Sequence, residues 1–167
     1  MDNKFSPIED VLADLKKGKM VVITDDENRE NEGDIVLAGQ FATPEKINFI
    51  VKHARGLICA PMEEALINRL RLFPMHRENT DPFKTDWMIS VDAVKGVTTG
   101  ISAHDRARTL KLLADAGTPA DALTRPGHVF PLKAKKGGVL SRAGHTEACV
   151  DLLKLAGLRP SGVICEI

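Results

Sequence analysis

A stretch of ten residues, 25–34, constrains the fold more than any other part of the chain. Its sequence, DDENRENEGD, places six carboxylates and one guanidinium between two short apolar runs, residues 20–23 and 35–38. Runs of this length and composition are typical of buried strands, so the strand ends must hold the acidic loop in place. Carboxylates crowded together in this way are suitable ligands for Mg²⁺ or Mn²⁺.

A solvated acidic turn is the alternative interpretation, and it is the commoner one for runs of charge. The embedded Arg29 and Gly33 favour a site over a solvated turn. A loop that only keeps the protein in solution has no use for one arginine among acids. A metal site for a phosphorylated or carbonyl-bearing ligand needs both signs of charge.

Composition excludes several classes of protein. The chain has 167 residues, 43% of them hydrophobic and 28% charged, which fits one globular domain. The net charge is +0, so the broad positive field needed to bind nucleic acid or an anionic membrane is missing. Cys59, Cys149 and Cys165 are far apart in apolar surroundings, which indicates reduced core cysteines. Without a cationic-then-apolar leader or a membrane-length apolar run, we expect a cytoplasmic protein.

Helix and strand signals alternate along the chain. Capping residues and apolar spacing predict helices over residues 7–17, from Thr43 to before Gly56, over 61–70 and over 103–115, and finally from Thr146 to Gly157. Apolar runs predict strands at residues 20–24, 34–38, 57–60, 88–91 and 163–167. Residues 73–86 have no periodicity and two prolines, so we interpret them as a mobile surface loop that could close over a site.

Two helix starts could bind an anion. Ser102, preceded by glycines and hydroxyl side chains, is a good N-cap, and plain capping is the commoner role of such a residue. The segment from Arg142 to Thr146 is the more informative one. With Thr146 as the N-cap, the Arg142 guanidinium, the Thr146 hydroxyl and free backbone amides would surround one point where a phosphate monoester fits. His145 lies at the same end of that helix.

Two further residues could take part in chemistry. His128 lies in the motif RPGHV, which we interpret as a loop just before a strand, and the restricted backbone there suits general acid–base work. Glu166 stands in the apolar run VICEI, where a carboxylate is costly unless it is paired or directed into a site. Strand alternation could equally point it at solvent. The residues alone therefore indicate a divalent-metal enzyme acting on a small phosphorylated, carbonyl-bearing substrate.

Four motifs together closely resemble one known family, 3,4-dihydroxy-2-butanone 4-phosphate synthase of riboflavin biosynthesis. They are DDENRENEGD at residues 25–34, ISAHDRA at 101–107, RPGHVFPL at 125–132 and RAGHTEA at 142–148. The resemblance implies an α+β fold, with a mixed sheet packed with helices in a single catalytic domain over residues 1–167. It also implies a homodimer with its sites near the interface, and two Mg²⁺ or Mn²⁺ ions per site. The implied reaction is a lyase reaction that converts D-ribulose 5-phosphate to L-3,4-dihydroxy-2-butanone 4-phosphate and formate through a metal-stabilised enediolate.

The resemblance also implies roles for individual residues. Glu30 matches the carboxylate that ligates both metals, and His145 matches an imidazole ligand of one of them. His128 and Glu166 match two positions essential for catalysis, and the phosphate is expected near Arg142 and Thr146. The implied substrate-binding residues are Arg29, Glu30, Asp34, Arg142, Ala143, Gly144, His145, Thr146 and Glu166.

The sequence departs from the family pattern in two places. Phe83-Lys84 and Asp86-Trp87 are unexpected around the family's Asn-Thr-Asp core in the 73–86 loop. Related chains continue past the equivalent of Glu166, so we expect this one to lack the family's C-terminal extension. Two rival functions remain open. One is another metal-dependent phosphosugar enzyme, such as an isomerase or aldolase, and the other is a non-catalytic module that binds an anion or a metal.

Overall fold

The computed structural model describes residues 5–167, and within them helices pack on both faces of one mixed β-sheet. The helices are α1 (Ile8–Lys16), α2 (Pro44–His53), α3 (Glu64–Arg69), α4 (Ala103–Ala114) and α5 (His145–Leu155). The strands are β1 (Val21–Thr24), β2 (Gly33–Ala38), β3 (Cys59–Met62), β4 (Asp86–Trp87), β5 (Val91–Ala93), β6 (Leu123–Lys133) and β7 (Gly162–Glu166). The expected α+β architecture with a mixed sheet is confirmed. Over the described residues, every helix falls short of the length and apolar character that a bilayer-crossing segment needs.

The sheet pairs the last strand with the strand that follows the acidic loop. The strand order is β1-β2-β7-β3-β6-β4, and β5 also pairs with β6. Within it, β3 and β6 run parallel, whereas β2 pairs antiparallel with both β1 and β7. The last strand therefore lies directly beside the strand that follows the acidic loop, and Asp34 is opposite Glu166.

Strand alternation divides the core into two layers. On β2, Ile35 and Leu37 pack with α2, α3 and α4 on one face of the sheet. Val36 and Ala38 pack with α1 and α5 on the other face. Because successive side chains of a strand point to opposite faces, Asp34 shares the face of Val36 and Ala38. This parity places the carboxylate on the side where α5 begins.

Several predicted elements are confirmed, and their caps explain them. The Thr43 side chain accepts a hydrogen bond from the Lys46 N–H at the start of α2, and Ser102 accepts one from the Asp105 N–H at the start of α4. These contacts satisfy backbone donors that a helix start leaves unpaired. At α1, by contrast, Pro7 is the N-cap and no side chain caps the helix.

Three boundaries in the middle of the chain differ from the prediction. The strand predicted over residues 57–60 is displaced to β3, and Pro61 and Met62 belong to that strand rather than to the following helix. In place of the strand predicted over residues 88–91 there are two short strands, β4, which ends before it, and β5, which begins at its last residue. The apolar runs alone could not fix these ends, because their pairing with β6 decides where each strand begins.

Two predictions about the candidate site residues are also wrong. The N-cap of α5 is Gly144, so His145 and Thr146 are its first two residues and Thr146 does not cap it. His128 lies inside β6 rather than in a loop before a strand. Pro126 and Gly127 read as loop residues because both are unusual in a regular strand. The strand accommodates them at an irregularity of its pairing with β5.

Candidate metal and substrate site

The β1–β2 hairpin holds the acidic loop in a fixed shape. Asp25 follows β1 directly, and its N–H donates to the Glu32 carbonyl across the loop. Its side chain accepts hydrogen bonds from the N–H groups of Glu30 and Glu32, each at 3.0 Å, and from Arg29 at 2.7 Å. Burial alone would raise the pKa of Asp25, but these hydrogen bonds outweigh it and lower the pKa to about 2. Asp25 is therefore ionised at neutral pH.

Asp34 and Glu166 form a carboxyl pair across neighbouring strands. The two residues are opposite each other in the β2–β7 register. Asp34 is only 3% exposed, and burial raises its pKa to about 6, with the Glu166 and Glu30 carboxylates adding to the shift against the effect of His145. Glu166 is exposed at the rim, and partial burial followed by the charges of Glu32 and Glu30 raises its pKa as well. Alternation thus places Glu166 at the mouth of a site, and not on an unrelated surface.

His145 lies among three carboxylates without hydrogen bonding to any of them. Its Nδ1 is 3.6 Å from Glu30 Oε2 and 3.7 Å from Asp34 Oδ1, and its Nε2 is 3.9 Å from Asp25 Oδ1. His145 Nε2 and Asp34 Oδ1 are buried, and neither has a hydrogen-bond partner within the described chain. Buried polar atoms left in this way are costly unless a ligand or ion satisfies them.

A divalent cation fits this cluster. Ligand atoms of Asp25, Glu30 and His145 all lie within 4.8 Å of one another. Two carboxylates and an imidazole form a donor set suitable for Mg²⁺ or Mn²⁺. The structure thus brings Glu30 and His145 together, although 115 positions separate them in the numbering. Asp25 was predicted only as one of six carboxylates in the acidic loop and was not singled out as a ligand. The hydrogen bond from the Glu30 N–H to its side chain, which brings the two residues together, forms only in the folded loop.

Most of the predicted site residues line one cavity of about 280 Å³ next to this cluster. Those that line it are Arg29, Glu30, Asp34, Arg142, His145, Thr146 and Glu166. The apolar part of the wall comes from Leu57, Trp87, Leu132 and Ile164, with the thiols of Cys59 and Cys165. None of these residues was predicted as a site residue from the sequence. A cavity with a charged end and an apolar end suits a small polar molecule anchored through its charged groups.

Three predicted residues lie outside this cavity. Ala143 and Gly144 line an adjoining hollow of about 250 Å³, which shares Arg29 and His145 with the cavity. His128 lines neither space. Its imidazole instead contacts Asp92 on β5. Within the described residues, His128 thus lies outside the cavity that the other predicted residues line.

Arg142 ties three parts of the structure together. Its Nη1 donates to Glu147 Oε2 at 2.6 Å, its Nη2 to Thr85 Oγ1 at 2.7 Å and its Nε to the Phe83 carbonyl at 2.9 Å. Glu147 is only 1% exposed, and its other oxygen accepts the Lys135 N–H. A buried carboxylate thus fixes the guanidinium, which in turn fixes the 73–86 loop. The sequence analysis gave Glu147 and Thr85 no role.

The two unexpected dipeptides of the 73–86 loop also make contacts at the site. The Arg29 guanidinium lies 5.3 Å from the centre of the Phe83 ring, a cation–π geometry. Asp86 accepts a hydrogen bond from Lys135 Nζ at 2.7 Å, and Trp87 packs edge-on against Phe130. Both departures from the family pattern therefore attach the loop to its surroundings.

Known proteins that are similar to this chain belong to one family. The family model described as 3,4-dihydroxy-2-butanone 4-phosphate synthase matches residues 9–167. A riboflavin biosynthesis protein RibBA of Nocardia farcinica is 57% identical over 164 residues, which are 98% of this chain and 40% of that protein. A 3,4-dihydroxy-2-butanone 4-phosphate synthase of Neisseria meningitidis serogroup B is 54% identical over 163 residues, covering 98% and 45% respectively. The chain thus spans less than half the length of these relatives.

Solved structures agree with the fold. A 3,4-dihydroxy-2-butanone 4-phosphate synthase in complex with two magnesium ions superposes with a TM-score of 0.96 at 48% identity, covering 98% of this chain and 76% of that one. A cation-free form of such a synthase gives a TM-score of 0.92 at 46% identity with the same coverage.

Proposed function

The chain belongs to the 3,4-dihydroxy-2-butanone 4-phosphate synthase family, and from that premise we propose that it is the catalytic domain of a lyase in riboflavin biosynthesis. The reaction would convert D-ribulose 5-phosphate to L-3,4-dihydroxy-2-butanone 4-phosphate and formate. The observation that carries this proposal is the cluster of Asp25, Glu30 and His145 beside a cavity that also holds two arginines. A sugar phosphate needs both a cation for its oxygens and a donor set for its phosphate.

Glu30 and His145 would hold the metal, and Asp25 is close enough to share in holding it. When bound, Mg²⁺ or Mn²⁺ would act as a Lewis acid that stabilises negative charge on the sugar oxygens while a neighbouring carbon loses its proton. A related structure contains two magnesium ions, and we propose two ions per site here as well. The unsatisfied Asp34 Oδ1 lies close enough to contact the metal cluster or the substrate.

The phosphate would bind beside Arg142 and Thr146. Arg142 is held by Glu147, and the first turn of α5 offers backbone N–H groups at the same end of the cavity. Ala143 and Gly144 would contribute through their backbone, because they line the adjoining hollow at this helix start. Arg29 would also contact the substrate, with Glu30, Asp34 and His145 lining the same cavity.

Glu166 would move protons at the mouth of the cavity. Its carboxyl group lies opposite Asp34 in the strand register, and both residues line the cavity. Proton abstraction next to a ketone and later proton return both need such a group. The 73–86 loop, pinned by Arg142, would keep water away from the reacting carbons.

His128 would reach the substrate only through a second subunit. It does not line the cavity of its own chain, whereas the family pattern treats it as essential. A homodimer with its sites near the interface resolves this, because a two-fold axis can bring one subunit's His128 to its partner's cavity. Leu57, which precedes β3, and Ile101, which precedes α4, are exposed apolar side chains. Their exposure supports a subunit interface that includes them.

Formate release tests the proposed reaction. The protein is incubated with ribulose 5-phosphate and Mg²⁺, and formate is followed by proton NMR, with a parallel sample containing a chelator. We expect formate in the first sample and none in the second until Mg²⁺ or Mn²⁺ is restored. An isomerase or aldolase would consume the substrate without formate. A binding module would gain thermal stability from the ligand without any turnover, and either result would contradict the proposal.

A further inference from the structure

A second imidazole–carboxylate contact lies apart from the metal cluster. His128 Nδ1 is 2.6 Å from Asp92 Oδ2, and the His128 backbone N–H donates to Asp92 Oδ1 at 2.9 Å. The Asp92 side chain is 9% exposed, whereas that of His128 is 42% exposed. One aspartate therefore holds both the backbone and the ring of His128 from the buried side, and the rest of the ring faces outward.

The strand pairing is irregular at this point. Val91 pairs with Val129, but the next residue, Asp92, pairs with Thr124, so residues 125–128 of β6 bulge out of the ladder. Irregularities of this kind redirect side chains and are common beside functional sites. Here the bulge is anchored at its base, because the Gly127 N–H donates to Ser90 Oγ at 3.2 Å. A side chain on Gly127 would overlap the Val91 backbone.

Gly100 covers the contact from a third direction. A Cβ atom added there would overlap Asp92 Oδ2 and would lie 2.7 Å from His128 Nδ1. Gly100 also has φ +99°, in the left-handed region that favours glycine. Asp105 holds it in place, because Asp105 Oδ2 accepts the N–H groups of Gly100 and Thr98 and the Thr98 hydroxyl. Three separate elements thus build the environment of one ring nitrogen.

The hydrogen bonding determines which nitrogen carries the proton. An ionised carboxylate only accepts hydrogen bonds, so the short contact requires a hydrogen on Nδ1. Nε2 is then unprotonated in the neutral ring, and within residues 5–167 it has no hydrogen-bond partner. We propose that Asp92 is the positioning residue for His128, fixing the Nδ1–H tautomer so that Nε2 can accept a proton from the substrate. This inference rests on the proposed function for the role of His128, but its structural part can be tested separately.

The test compares Asp92→Asn with the wild-type protein. An asparagine has one acceptor oxygen, so it can satisfy the His128 backbone N–H only by turning its NH₂ group toward Nδ1. Nδ1 must then accept, and the proton moves to Nε2. Long-range proton–nitrogen NMR of protein carrying ¹⁵N-labelled histidine, at about pH 8.5, where histidine is ordinarily neutral, identifies the tautomer. A His128→Gln sample assigns the signals. We expect Nδ1–H in the wild type and Nε2–H in the variant.

Kinetics then separate positioning from a purely structural role. We expect Asp92→Asn to lower kcat by roughly 10²–10⁴-fold, as loss of a general base does, with KM changed by no more than about threefold. Asp121→Asn, the same change at an exposed site, should leave both constants unaltered. Gly100→Ala provides an independent route, because its added methyl group pushes on both partners, and it should also disturb the tautomer.

Each outcome decides the inference. An Nε2–H tautomer in the wild type overturns it, as does a variant that changes tautomer yet keeps its kcat. If Asp92→Asn lowers both the melting temperature and the activity while the Nδ1–H tautomer is retained, the inference is also overturned, in favour of a structural role. If the wild-type protein releases no formate, the proposed function fails, and the NMR comparison alone then decides whether Asp92 sets the tautomer.

Discussion

His145 and His128 each lie beside an aspartate, and the spacing differs in a way that separates their chemistry. His145 stands 3.6 to 3.9 Å from three carboxylates, and its Nε2 is buried without a hydrogen-bond partner in the described chain. His128 is 2.6 Å from one carboxylate, which also accepts its backbone N–H. The first imidazole is surrounded but unbonded, whereas the second is bonded firmly through one nitrogen.

The comparison shows how the same two functional groups can serve different purposes. A gap of almost 4 Å between an imidazole and several carboxylates is too long for hydrogen bonds but is of the size that a shared cation can bridge. A short contact to one carboxylate instead fixes a tautomer. Distance, and not residue type, therefore distinguishes the proposed metal ligand, His145, from His128, for which we propose a role in proton transfer.

Glu30→Gln should have the largest effect, and it should disrupt the proposed metal site without changing the surroundings of His128. Loss of one negative ligand weakens metal binding, and since a bound metal stabilises the transition state by several kcal/mol, formate release should fall by roughly 1000-fold. We also expect Mg²⁺ to raise the melting temperature of the wild type, and this rise should disappear in the variant. Formate assays and thermal unfolding with and without Mg²⁺ measure the two effects.

Glu27→Gln is the matched control, because it makes the same change at an exposed position of the same loop. It should keep both the activity and the response to Mg²⁺. Full activity of Glu30→Gln at saturating Mg²⁺ would remove Glu30 from the site.

Mixed dimers show whether Glu30 of one subunit and His128 of the other act on the same substrate. Co-expression of Glu30→Gln with His128→Gln gives roughly half mixed dimers, and each of these would have one intact site of two if His128 acts across the interface. Activity should therefore recover to about one quarter of the wild-type value, although each variant alone is nearly inactive. Purified co-expressed protein is assayed for formate. A mixture as inactive as its components would place both residues in the same subunit's site or show that no dimer forms.

Asp105→Asn should have the smallest effect, and it tests the residues that support the surroundings of His128. Hydrogen bonds from the Thr98 hydroxyl and from the N–H groups of Gly100 and Thr98 lower the pKa of Asp105 to about 2, below the ordinary 3.8. Because the native state favours the charged form, Asp105 stabilises the fold above pH 3.8, and this contribution is lost as the pH falls toward 2. The variant should unfold at a lower temperature at neutral pH, and the difference should shrink between these two pH values.

Thermal unfolding at a series of pH values measures this, with Asp121→Asn as a control at an exposed carboxylate. The stabilisation by Mg²⁺ should be the same in both variants, since Asp105 lies outside the metal cluster. A difference that stays constant down to pH 2 would show that the Asp105 charge does not contribute.

Local signals predicted much of the fold and the acidic centre. The cap at Thr43 and the strands flanking residues 25–34 were identifiable because each depends on neighbouring residues. Glu166 stood out as a carboxylate in an apolar strand, but the sequence left open whether it faces a site or solvent. The structure adds its partner, Asp34.

Pairing between distant strands determined what the sequence could not show. His128 was placed before a strand because Pro126 and Gly127 suggest a loop, yet the bulge against β5 keeps it within β6. The sequence did not predict the roles of Asp92 and Glu147. Their partners, His128 and Arg142, lie 36 and 5 positions away, and only the folded chain brings each pair into contact. Thr146 was assigned as a cap because threonine is common there, whereas Gly144 takes that position and leaves room for Arg142 against Glu147.

The attachment of the 73–86 loop to Arg142 affects the entropy of ligand capture. A guanidinium has five N–H donors, and contacts to Glu147, Thr85 and Phe83 use three, which leaves two for an incoming anion. The loop and the ligand can therefore share one arginine without competing for it. These contacts exist before any ligand binds. The conformational entropy of the loop is therefore lost during folding, and ligand binding does not have to reduce it further.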